Sequence, residues 1–138
     1  MPFVDRGKIG VIGICGSALS AASVDALPET DPITDEWQRF YAVPRGFHPN
    51  ARGGSTTSDL SMLQFDALAH IDEITPRPIL FVYGDKVHSR SFSERAYKLA
   101  NEPKEEYIVK DAEHIDLYDQ VDKIPFDKFE SFFKENLK

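Results

Sequence analysis

Gly13-Ile14-Cys15-Gly16-Ser17 sets the chain's one cysteine among small residues. An apolar run, Lys8–Ile14, precedes it, and a stretch rich in Ala, Ser and Leu, Ala18–Ala26, follows. A nucleophile in a sharp strand-to-helix turn needs this pattern, Gly-x-nucleophile-x-Gly, because bulk two residues away would strike the strand or the helix. Ser17 stands where the second glycine would be, a small departure. In such a turn the Gly16 N–H points at a developing oxyanion. The helix N-terminus beyond favours thiolate over thiol. The plainer alternative makes Cys15 a small packed hydrophobe whose glycine neighbours let a helix approach. A phosphate cradle does not fit. Gly10, Gly13 and Gly16 are spaced by three rather than as Gly-x-Gly-x-x-Gly, and no Gly-Lys-Ser/Thr follows.

A thiol nucleophile needs a base and a group to orient it. His114 lies in a loop between the last expected strand and the last expected helix, and Asp85 follows the strand before that. Cys15, Asp85 and His114 thus run in the order nucleophile, acid, histidine that accompanies a nucleophile elbow. Asp85 has a plainer reading too, as an ordinary turn residue after Gly84. His48, His70 and His88 show no ligand spacing and read as surface or structural residues, so no metal or cofactor is expected.

The elements that must carry these residues alternate in type. Lys8–Ile14, Ile79–Tyr83 and Tyr107–Val109 (within Glu106–Val109) are apolar runs expected as parallel neighbours in one sheet. Helices are expected at Ala18–Ala26, through Glu36–Tyr41 with Thr34 or Asp35 as cap, and at Leu60–His70. Two more are expected, at Ser91–Asn101, with Ser91 or Ser93 as cap and Phe92, Ala96, Leu99 and Ala100 on one face, and at Pro125–Leu137, with Phe126, Phe129, Phe133 and Leu137 inward. Pro44–Pro49 stops the second helix, Asn50–Asp59 is irregular and Asp111–Leu117 is a loop. The class is α/β, with a small, mostly parallel sheet flanked by helices.

Composition bounds the rest. The 138 residues fit one domain, and 41% hydrophobic with 28% charged residues is a globular profile. Sixteen basic against 23 acidic side chains give a net charge of −7, the wrong sign for a phosphate backbone, so no nucleic-acid partner is expected. No apolar run approaches the roughly 20 residues of a membrane span, and the N-terminus lacks the order of a signal peptide. A single cysteine excludes an internal disulfide framework, and a cytoplasmic setting follows.

Several stretches carry a family likeness: Asp5-Arg6 through Gly13–Ser17, Pro44–Pro49, Ile71–Pro78, His88–Glu94 and His114–Asp119. On these the chain resembles the dienelactone-hydrolase-like branch of the α/β-hydrolases. That branch includes members labelled Xaa-Pro-dipeptidyl-peptidase-like or polyketide-transferase-like. The resemblance implies a partial α/β-hydrolase fold over residues 1–138, with 31–70 a remnant cap or insert. Family members are longer. They begin with a half-sheet and a loop that brings a second oxyanion donor, and they carry further glycines after the elbow, a further strand and a cap. Against them the chain looks like a C-terminal half with an internal excision: a degenerate copy, a truncated or mis-spliced reading frame, or a minimal relative. Many α/β-hydrolases place the acid three residues after the glycine that ends the strand; here that is Val87, which cannot serve, and Asp85 is the nearest carboxylate.

The expected function is hydrolysis of a small-molecule ester, lactone or thioester through Cys15, His114 and Asp85, with Gly16 as oxyanion donor and activity low for want of the second donor. The alternative is a catalytically inactive remnant serving as a structural or interaction module, self-associating through open sheet edges. A flavodoxin-like binding module lacks its phosphate loop.

Overall fold

The apolar run Ile79–Tyr83 becomes a strand, β1 (Ile79–Gly84), in the computed structural model, which describes residues 8–13, 32–50, 57, 64 and 66–137. A second strand, β2 (Lys104–Val109), pairs with it in parallel, from Ile79 opposite Lys104 to Gly84 opposite Val109. Helix α2 (Arg90–Leu99) connects the two, so that strand, helix and strand form one crossover unit. The strands therefore end together, and the loops carrying Asp85 and His114 leave from the same edge of the sheet. The remaining helices are α1 (Pro32–Tyr41), the single turn α3 (Asp116–Asp119) and α4 (Phe126–Asn136), with a 3₁₀ turn at Ile71–Ile74. The class is α/β, with two parallel strands among the described residues.

Polar contacts tie the crossover together. Lys104 at the start of β2 donates to the Tyr97 and Ala100 carbonyls, both at 2.8 Å, closing the C-terminal end of α2. The ring of Tyr97 meets Phe81 of β1 edge to face, centroids 5.8 Å apart. Past the strand ends the Asp85 N–H reaches the Val109 carbonyl and the Lys86 N–H reaches that of Ala112. Gly84 lies so close to the Ala112 backbone that a Cβ would strike its carbonyl oxygen, which makes glycine obligatory there.

Several expectations fail here. Residues 8–13 form no strand; Val11 is 85% and Ile12 63% exposed. An apolar run becomes a strand only where another strand offers it hydrogen bonds, and among the described residues neither β1 nor β2 does so for this segment. Of the helix expected at Leu60–His70, Gln64 is helical, but residues 67–70 form a turn. The Asp66 side chain accepts the Leu68 N–H at 3.1 Å, supplying locally what a helix would have used. Helix α1 starts at Pro32, ahead of Thr34 and Asp35, in keeping with proline's fitness for a first helical turn. α2 follows Ser89, not Ser91 or Ser93, and that cap makes no side-chain bond. Its inward face carries Ala96, Tyr97 and Ala100, while Phe92 and Leu99 are exposed. In α4 the buried aromatic is Phe132; Phe126 is exposed. The proposed helix at Ala18–Ala26 lies outside the described residues.

Candidate functional site

His114 sits in the loop after β2, just before α3. Among the described residues its ring meets those of Trp37 of α1 (centroids 5.4 Å apart), His88 of the turn after β1 (5.4 Å) and Tyr118 of α3 (5.5 Å). Phe40 and Tyr41 extend the cluster, with Phe40 edge-on to Tyr118 at 5.2 Å and Tyr41 stacked on Trp37 at 5.6 Å. Burial among these rings, and then the nearby His88, push the His114 imidazole below its ordinary value of 6.5; Glu36 pulls the other way. A neutral imidazole at neutral pH is the state in which histidine accepts a proton.

Glu36 is the polar centre of the arrangement. It is only 5% exposed. Its Oε1 accepts the Ile115 N–H at 3.1 Å, and its Oε2 lies 3.2 Å from His88 Nδ1. Ile115 is fully buried. The remainder of this segment grips the same loop from outside. Arg39 donates through both terminal nitrogens to Glu113 Oε2 at 3.0 Å. Arg45 forks onto Asp119 and reaches the Ile115 carbonyl at 3.3 Å. The turn between Val43 and Phe47 that presents Arg45 folds back against Phe40, and a side chain at Gly46 would collide with that ring. Asp116 completes the anchoring. It accepts from the Glu113 N–H (3.0 Å), Gln120 (2.6 Å) and Lys123 (2.6 Å). Burial pushes its carboxyl up, but Lys123 and these donors overcome that and hold it below its ordinary 3.8.

Asp85 leaves β1 at the expected place, and its Oδ1 is buried with no hydrogen-bond partner among the described residues. No hydrogen bond joins it to His114 among those residues, and among them a carboxylate that acts on His114 is Glu36. Cys15 and Gly16 lie outside the described residues. The cluster gathers His114, expected as the base, with His88, read from the sequence as a surface or structural residue, and with Glu36 and Trp37, singled out there only as parts of a short helix. The only signal for Glu36 and Trp37 was a short amphipathic helix with a carboxylate in it, which by itself marks no site; His88 opens one of the stretches that carry the family likeness. His48 and His70 are peripheral, the former accepting the Asn50 N–H and the latter beside Glu73. Among the described residues no three His, Cys, Asp or Glu side chains are placed to hold a metal ion. An open groove of about 530 Å³ runs between β2 and the start of α4, past Tyr107, Val121 and Phe126; none of the rings around His114 lines it.

No protein-family model matches the chain. It is 47% identical over 106 residues to uncharacterized protein PA2218 of Pseudomonas aeruginosa, a match covering 74% of this chain and 29% of that protein. It is 26% identical over 126 residues to uncharacterized protein YcjY of Escherichia coli, covering 86% of this chain and 41% of YcjY. The crystal structure of hypothetical protein PA2218 superposes with a TM-score of 0.74 and 44% identity, over 80% of this chain and 36% of that one. The chain thus spans less than half the length of these relatives.

Proposed function

We propose that the chain carries the nucleophile and base of an α/β-hydrolase of the dienelactone-hydrolase-like branch, acting on an ester, lactone or thioester. The Cys15 sulfur adds to the acyl carbon while its proton passes to His114, and the Gly16 N–H stabilises the oxyanion. Collapse of the adduct breaks the bond to the leaving alcohol or thiol, which takes the proton back from His114. Water then adds to the acyl-cysteine with His114 again as base, and the acid departs as the Cys15 thiol is restored. Asp85 is the acid of this reading by its place in the chain, although its buried Oδ1 accepts no hydrogen bond from His114.

The supporting observation is the placement and state of His114: half-buried, pushed toward its neutral form, in the loop beyond the shared carboxyl end of two registered parallel strands. Open α/β sheets bind ligands beyond that end. The test is the pH dependence of iodoacetamide labelling of Cys15 in wild type and His114→Ala. Labelling that sets in well below the free-thiol value of about 8.5, and moves to higher pH in the variant, supports the pair. Labelling that is slow at neutral pH and indifferent to the substitution returns Cys15 to a packing role.

The exposed apolar side chains Val11, Ile12 and Phe47 favour a second reading, an interaction module without turnover. An unactivated Cys15 together with self-association is the result that selects it.

A further inference from the structure

We propose that Glu36 is a positioning residue for His114, acting on one side through the Ile115 N–H and on the other through the His88 imidazole. The role rests on the reading of His114 as the base. Glu36 is a carboxylate from a segment remote in sequence, yet its two oxygens divide between the two structures that define the surroundings of His114. Oε1 fixes the backbone one residue past the histidine. Oε2 faces Nδ1 of His88, whose ring stands 5.4 Å from that of His114. The adjacent Trp37 touches both imidazoles, at 5.7 and 5.4 Å, and walls them off together. Two residues of α1 therefore hold the same loop, Glu36 inside and Arg39 outside on Glu113.

A buried carboxylate requires a donor or a cation. Among the described residues the cation-capable partner of Glu36 is His88, because Arg39 is taken by Asp35 and Glu113. An ionised Glu36 requires the proton of His88 on Nδ1, which fixes that ring's tautomer and orientation. The groups facing His114 among the described residues include Glu36 and Trp37 from α1, His88 from the turn after β1 and Tyr118 from α3. Of these, Glu36 favours a proton on His114 and His88 opposes it. The two thus act on the base in opposite senses, within surroundings whose burial holds it toward the neutral form.

The deciding measurement is an imidazole NMR titration of the 138-residue chain, as wild type, Glu36→Gln and His88→Gln. Glu36→Gln keeps the shape and removes the charge, so His114 should titrate at lower pH than in wild type. His88→Gln removes the opposing imidazole, so His114 should titrate at higher pH. Opposite shifts support the proposal. An unmoved His114 titration in a folded Glu36→Gln overturns it. Should Glu36→Gln fail to fold, an unmoved titration in His88→Gln overturns it instead. Cys15 plays no part in this readout, so failure of the hydrolase reading shows separately, as labelling of Cys15 that ignores His114→Ala.

Discussion

Arg45 meets Asp119 edge-on, with Nε 2.7 Å from Oδ2 and Nη2 2.5 Å from Oδ1, across 74 residues of chain. The same guanidinium lies over the Phe40 ring, 5.1 Å from its centroid. With Glu36 on Ile115 and Arg39 on Glu113, this fork gives one segment three holds on the loop of the candidate base. Arginine suits the position because its rigid planar fork matches a carboxylate, whereas a lysine ammonium offers a point charge without that geometry. Arg45→Lys should therefore speed amide exchange at Ile115 and Asp116 while leaving β1 and β2 protected. Exchange unchanged from wild type would mean that the fork contributes nothing to the order of the loop.

Both observed strands were legible in the sequence, the third, expected over Lys8–Ile14, is not formed at residues 8–13, and the company His114 keeps was not legible. Ile79–Tyr83 announces itself as a strand by an apolar run that needs burial whatever its neighbours do. The polar start of β2, Lys104 and Glu105, gives no such signal; these residues join because Ile79 and Leu80 lie opposite them. Ile9, Val11 and Ile12 look equally strand-like, yet hydrophobicity says nothing about whether a partner strand is present. Phe126 and Phe132 are alike in type, and their different burial is decided by what packs on α4. The importance of Glu36 depends on contacts 52 and 79 residues away, to His88 and Ile115. Spacing along the chain cannot reveal these.

Packing under His114 should be costly to disturb. Ile115 is fully buried, and Ile115→Ala should destabilise the fold by about 2–5 kcal/mol through lost transfer energy and an unfilled cavity. Glu36→Ala leaves the Ile115 N–H buried without its acceptor, at a cost of about 1–3 kcal/mol. Gly84→Ala drives a methyl group into the Ala112 carbonyl, and overpacking of this kind costs about 1–3 kcal/mol. Urea denaturation of the three variants should show all of them with lower midpoints. A Gly84→Ala midpoint equal to that of wild type would contradict the close approach of the two backbones.

Exposed apolar side chains predict association. Val11, Ile12, Phe47, Val121 and Phe126 are all more than half exposed, and the two-stranded sheet among the described residues leaves strand edges that can pair with another chain. Light scattering should give a mass that rises with concentration, and Val11→Lys with Ile12→Glu should reduce the rise. A concentration-independent monomer would exclude association through these surfaces.

Stability should fall on both sides of neutrality, for separate reasons. His114 has its folded value below the ordinary 6.5, so between the two values the unfolded chain binds more protons than the folded one. Its contribution is complete above 6.5 and is lost as pH falls through the lower, folded value. Asp116 behaves alike in a lower window: its contribution is complete above the ordinary 3.8 and disappears as pH falls through its depressed folded value. Tyr83 has the reverse sign. Burial, and then its hydrogen bond to Glu106 (2.7 Å), push its phenol from 10.0 up to about 12. The folded chain keeps that proton after the unfolded chain has lost it, so the contribution is complete below 10 and is lost as pH rises toward 12. Urea midpoints across pH should therefore trace a plateau with an acid flank beginning just below 6.5. His114→Asn should flatten the upper part of that flank and leave the part below 3.8, which Asp116→Asn should flatten in turn. An acid flank that keeps its full slope just below 6.5 in His114→Asn would show that the imidazole is not held toward its neutral form.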